Sequence, residues 1–96
     1  MEAYGVLDAL ADSDCRSVLG ALRGRSMSAN EVSDECDMPL STTYRKIEVL
    51  SDAGLIEERV RISTSGNHAS EYVASVRDVR VEVGESGRLE VEVSGR

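Results

Sequence analysis

Apolar positions along the chain change period once, at Gly54. Before it they recur every three or four residues, as on one face of a helix; after it they alternate, as on one face of a strand. Val6, Leu7 and Leu10 mark a short first helix ending near Ala11. Asp12 or Ser13 is placed to cap a second helix, whose apolar face is Cys15, Val18, Leu19 and Leu22, with Gly24 as its stop. Ser28-Ala29-Asn30-Glu31 has capping-box spacing for a third helix that buries Val32 and Cys36. Met38-Pro39 ends it, because proline disfavours helical geometry in the residue before it, and Pro39 suits the start of a fourth helix. Leu40, Tyr44, Ile47 and Leu50 then recur to about Ala53, with Gly54 as terminator.

Two short helices joined by about four residues have helix-turn-helix spacing. Behind them, Ile56, Val60 and Ile62 share one strand face and Arg59 and Arg61 the other. Ser63-Thr64-Ser65-Gly66-Asn67 is a turn cluster, and Glu71 to Val76 returns with Tyr72, Ala74 and Val76 inward. A β-hairpin directly behind a helix-turn-helix is a wing. Val79, Val81 and Val83, then Leu89, Val91 and Val93, form a second alternating pair around Gly84-Glu85-Ser86-Gly87. The expected fold is therefore α+β, a winged helix-turn-helix of three or four helices plus a β-hairpin wing over residues 1–76. An additional C-terminal β-hairpin over residues 77–96 serves packing or dimerisation, since an isolated hairpin is marginal in water and its apolar face needs a cover.

Composition narrows the class. With 96 residues, 41% hydrophobic and 30% charged, one small core is affordable, and with three Tyr, no Phe and no Trp it must be aliphatic. No apolar run approaches a membrane span, and Met1-Glu2-Ala3-Tyr4 lacks a basic n-region, so a soluble cytoplasmic protein is expected. Eighteen acids against eleven bases give a net charge of −7, and ten of the eleven bases are Arg. That balance resembles adaptation to a salt-rich cytoplasm, where a like-charged surface keeps proteins apart. The distribution is uneven: Met38 to Ile47 holds Arg45 and Lys46, and Arg59 to Ser70 holds Arg59, Arg61 and His68, both without an acid. Basic patches confined to the expected helix-turn-helix and wing point to nucleic acid despite the overall charge.

Catalytic chemistry has little to work with. His68 is the only His, so neither a His-containing triad nor a multi-His metal site assembles within one chain, and Cys15 and Cys36 are isolated and fall on apolar stripes as two small buried thiols. Asp12, Asp14, Asp34 and Asp37 fall at helix ends, where capping and the helix dipole account for them. No enzyme activity, cofactor, metal or small-molecule substrate is expected.

The stretch Met27-Ser28-Ala29-Asn30-Glu31-Val32-Ser33 to Leu40-Ser41-Thr42-Thr43-Tyr44-Arg45-Lys46-Ile47, then Leu50 and Ala53-Gly54-Leu55-Ile56, resembles the ArsR-like winged-helix transcription regulators, above all the small acidic variants of extreme halophiles. The likeness covers roughly residues 5–76. It departs at Pro39, where relatives carry a Ser or similar cap, and it lacks the clustered Cys or His ligands of metal-sensing members. The resemblance implies a regulator that binds double-stranded DNA, with helix 40–53 in the major groove and the wing, 57–71, on backbone or minor groove.

Helical projection places Ser41, Thr42, Arg45, Lys46 and Val49 opposite the apolar face of that helix, a set suited to base edges and phosphates. Tyr44, at the edge of the apolar face, either packs or offers its hydroxyl to a phosphate. In the wing the candidates are Arg59, Arg61, Asn67 and His68. Two half-sites commonly supply specificity, so a homodimer is expected, through Val6, Leu7 and Leu10, through Val79, Val81, Val83, Leu89, Val91 and Val93, or through both. The competing reading is a winged helix that serves only as a protein-interaction module.

Overall fold

The computed structural model describes residues 3–62, 64–66 and 68–95. Among the described residues four α-helices, α1 (Ala3–Ala11), α2 (Ser13–Ala21), α3 (Ala29–Glu35) and α4 (Leu40–Asp52), precede four strands. The strands are β1 (Ile56–Ile62), β2 (His68–Ala74), β3 (Val76–Val83) and β4 (Leu89–Gly95). They form two separate antiparallel hairpins, β1–β2 and β3–β4, so the fold is the expected α+β winged helix-turn-helix with an extra terminal hairpin.

Local chemistry explains the helix limits. Asp12 caps α2 by accepting from the amides of Asp14 and Cys15 at 2.8 and 3.1 Å. Ser28 and Glu31 form the reciprocal capping box at α3. At the other end of α3, Met38 N–H bonds to Ser33 C=O at 3.0 Å and Asp37 N–H to Asp34 C=O at 3.3 Å. This paired arrangement needs a left-handed residue, which here is Asp37 at φ 49° rather than a glycine. The same motif closes α4, where Leu55 N–H reaches Leu50 C=O at 2.9 Å and Gly54 takes φ 76°. Helix α2 stops at Ala21, three residues before Gly24, and its last turn is sealed by Leu22 N–H to Val18 C=O at 3.1 Å.

The core is aliphatic. Val6, Val18, Leu22, Val32, Leu50 and Leu55 are fully buried where the four helices meet the root of the wing. Met27 exchanges both backbone hydrogen bonds with Tyr72, at 2.9 and 2.7 Å, so β2 has a one-residue third partner that no alternation in the sequence announces.

Three expectations change. Val76 does not end the return strand: β2 stops at Ala74, Ser75 N–H turns to Leu55 C=O at 3.0 Å, and Val76 opens β3. Val60 and Ile62 share the face of Ile56 by alternation but are 61% and 77% exposed, because β1 runs out past the body it starts on. Leu40 and Tyr44, placed on the apolar face of α4, are 39% and 51% exposed. The terminal hairpin is anchored at one end, with Val79, Val91 and Val93 packed on the core, while Val81 and Val83 stand exposed beyond it.

Candidate nucleic-acid interface

The outward side of α4 is set by what the helix buries. Thr43, Ile47 and Leu50 are its buried residues. At about 100° per residue the diametrically opposite line runs through Ser41, Arg45, Glu48 and Asp52, all exposed. The face expected from the sequence, Ser41, Thr42, Arg45, Lys46 and Val49, is centred roughly 60° from that line. The rotation follows from Leu40 and Tyr44: counted as buried, they pull the apolar centre round, and in the structure neither is buried.

Ser41 and Arg45 thus stand on the exposed ridge. Thr42 is half-buried on the flank, and Val49 turns towards α1, where it borders a shallow cleft with Gly5 and Asp8. Lys46 is partly buried and committed within the fold. Its Nζ lies 2.7 Å from Asp12 Oδ2, at the N-cap of α2. The hydrogen bond from Lys46 holds the Asp12 carboxyl below its ordinary value, and the same bond holds the Lys46 ammonium above its own. Arg45, by contrast, has no intramolecular ion pair among the described residues.

The N-terminus of α4 is open. Pro39 supplies no side-chain cap. Its carbonyl instead accepts from Thr43 N–H at 2.9 Å and from the Thr43 hydroxyl at 3.0 Å, which satisfies a polar side chain buried in the core. The first-turn amides of Leu40, Ser41 and Thr42 consequently keep their hydrogen-bonding capacity at the positive end of the helix dipole. Oriented amides, two hydroxyls and a free guanidinium within about one and a half turns can hold a phosphate oxygen and reach a base edge.

The wing is more nearly neutral than its arginines suggest. Arg61 pairs with Glu71 across the hairpin and lies 4.0 Å from Glu31 at the start of α3, while Arg59 lies 3.7 Å from Glu57. Ser70 donates its hydroxyl to Glu58 at 2.6 Å. Asn67 and the side chain of His68 lie outside the described residues; the backbone of His68 opens β2 opposite Ile62. At the wing's base Tyr72 is partly buried against the core, and its phenol is pushed up by burial first, then by Glu58 and Tyr44. The sequence reading overlooked Glu48, Asp52 and the partner of Lys46. A recount of the helix that omitted Leu40 and Tyr44 would have found the first two.

The expected dimer residues divide in the same way. Val6 is sealed in the core and offers no area to a partner, whereas Leu7, Leu10, Val79, Leu89, Val91 and Val93 are partly buried and Val81 and Val83 exposed. Cys15 is buried and Cys36 half-buried, its thiol donating to Ser17 C=O at 3.6 Å; burial pushes both thiols up. Among the described residues no three His, Cys, Asp or Glu gather as a metal site, and no helix is long and apolar enough to cross a membrane.

Residues 10–59, from the end of α1 through α2, α3 and α4 into β1, match the helix-turn-helix domain family. Among solved structures the chain is similar to a possible transcriptional regulator from Methanosarcina mazei Go1. The two are 16% identical with a TM-score of 0.56, over 77% of this chain and 66% of that one, a likeness of fold. No curated protein sequence matches the chain.

Proposed function

The chain belongs to the helix-turn-helix domain family, and we propose that it is a sequence-specific double-stranded DNA-binding regulator of transcription, ArsR-like in type and adapted to a salt-rich cytoplasm. The observation that carries this reading is the N-terminal half of α4, where uncapped amides, Ser41 and Arg45, which has no ion pair among the described residues, face outward in an otherwise acidic chain. Arg45 takes the O6 and N7 of a guanine, Ser41 and Thr42 take phosphate or a base edge, and the first-turn amides take the adjacent phosphate. Lys46 positions the helix through Asp12, and Val49 lies at the margin. Glu48 and Asp52 limit the approach to the N-terminal half, with Glu48 a candidate acceptor for cytosine N4.

The wing contributes less charge to DNA than its composition suggests, because both described arginines are paired. Few phosphate contacts suit a protein that works in concentrated salt, where counterion release gives little. Two copies place two α4 helices on two half-sites. The apolar area for that dimer comes from Leu7, Leu10 and the terminal hairpin, and Val83→Asp should shift the chain to monomer by light scattering.

A second reading, a protein-interaction module, draws on the acidic C-terminal half of α4. The deciding measurement is a titration of genomic operator fragments in 0.2 to 2 M KCl with native chain and Arg45→Ala. Saturable, sequence-dependent binding that the variant loses supports the regulator. Absence of binding to any selected fragment, with the fold intact, moves the assignment to the interaction module.

A further inference from the structure

We propose that the cleft between α2 and the root of the terminal hairpin binds a small amphipathic carboxylate. The cleft has a volume of about 420 Å³, within the range of small-molecule sites. Its floor is apolar: Leu10 and Leu19 from the helices face Val76 and Val79 from β3. Three guanidinium groups, from Arg16, Arg23 and Arg77, stand around it against one carboxylate, Asp78. That is a local excess of positive charge in a chain of net charge −7.

The donors are available. Arg16 commits one nitrogen to Leu10 C=O at 2.8 Å, and Arg77 turns Nε to Asp78 at 3.2 Å. A guanidinium carries five N–H groups, so both keep several. Arg23 makes no side-chain hydrogen bond or ion pair among the described residues. A planar carboxylate matches the two parallel donors of such a group.

Gly20 is the second observation. It lies in the last turn of α2, lines the cleft, and has no positive φ that would require glycine. A glycine there costs a helix about 1 kcal/mol relative to alanine. A Cβ built on it meets no atom within 4 Å, so packing does not demand the glycine either. What it does is leave the wall of the cleft open. An apolar floor with a cationic rim selects an apolar body carrying one negative head; an inorganic anion would use the rim alone and an alkylammonium only the floor. None of its residues is on α4, so the site does not rest on the DNA-contacting face, although it shares Leu10 and Val79 with the surface proposed for the dimer.

Isothermal titration of the full chain with octanoate and 2-naphthoate tests the proposal, with acetate and octylammonium as controls and light scattering alongside. Saturable binding of one of the two acids at one per chain is expected, at least tenfold tighter than acetate, with none for octylammonium. Arg23→Gln/Arg77→Gln should weaken it at least tenfold, and Gly20→Leu should abolish it while its melting temperature stays at or above native. Three results would each overturn the proposal: no saturable binding of either acid; equal binding of octanoate and octylammonium; or unchanged acid affinity in both variants. A dimer that Gly20→Leu dissociates would also overturn it, by assigning the cleft to a second copy of the chain.

Discussion

Lys46 Nζ lies 2.7 Å from Asp12 Oδ2, so a side chain in the middle of α4 is tied to the residue that caps α2. Asp12 serves two amides and one ammonium at once. Its carboxyl is held below 3.8 by the Lys46 bond first, and that of Glu31 below 4.5 by the Ser28 amide first. A carboxylate depressed on folding contributes stability that is present above its unfolded value and is lost as pH falls through the folded one. Lys46 is raised above 10.5, so its share is present below that value and lost as pH climbs through the folded one. The stability plateau should therefore end on the acid side below about pH 4.5. As pH is lowered from 7 to 2.5, urea midpoints should fall more steeply for the native chain than for Asp12→Asn, which keeps an N-cap but not the charge. Parallel curves would show that the pair is not formed in solution.

Arg45 and Lys46 are adjacent yet should behave differently. Arg45→Ala should leave the melting temperature within a degree or two and weaken operator binding by about 1–3 kcal/mol, or roughly 5- to 150-fold. Lys46→Met should instead lower the melting temperature and change operator binding less. Melting curves and DNA titrations on the two single variants separate a reading residue from a positioning one.

Thr43 buries a hydroxyl that is bonded to Pro39 C=O. In Thr43→Val the shape is kept and the carbonyl still accepts from the backbone, so the expected loss is about 1 kcal/mol. Chemical denaturation measures it. A loss above about 3 kcal/mol would mean that the hydroxyl does more than close this turn.

Asp37 occupies a left-handed conformation at φ 49°, where a side chain is disfavoured. Asp37→Gly should stabilise the chain by about 0.5–1 kcal/mol, because the relief of that conformation outweighs the added freedom of the unfolded glycine. A rise in the urea midpoint at unchanged slope is the expected result.

Ile56 and Ile62 sit on the same side of β1, one buried and the other largely exposed. Ile56→Ala should cost about 2–4 kcal/mol, and Ile62→Ala less than about 0.5 kcal/mol. Comparable losses at both sites would mean that the outer half of the wing has a cover of its own.

How much of this was legible depends on the range of the interaction that decides it. The capping box at Ser28 and Glu31 and the stop at Gly54 involve residues within a few positions of each other, and the sequence states them outright. Alternation likewise gave both hairpins, since the two faces of a strand repeat every second residue whatever lies above them. It could not say where along β1 the body ends, and so it treated Val60 and Ile62 like Ile56.

The order of elements, the turn between α3 and α4 and the presence of a wing were determined by the sequence alone, because local hydrogen bonding and hydrophobic period suffice to place them. Which side of α4 faces out was decided by tertiary structure. Leu40 and Tyr44 look apolar in the sequence but stay 39% and 51% exposed, and Lys46 looks free but meets Asp12, 34 residues earlier in the chain. The cleft under the terminal hairpin is of the same kind: Arg16, Arg23 and Arg77 are scattered charges until α2 and β3 come together around Gly20.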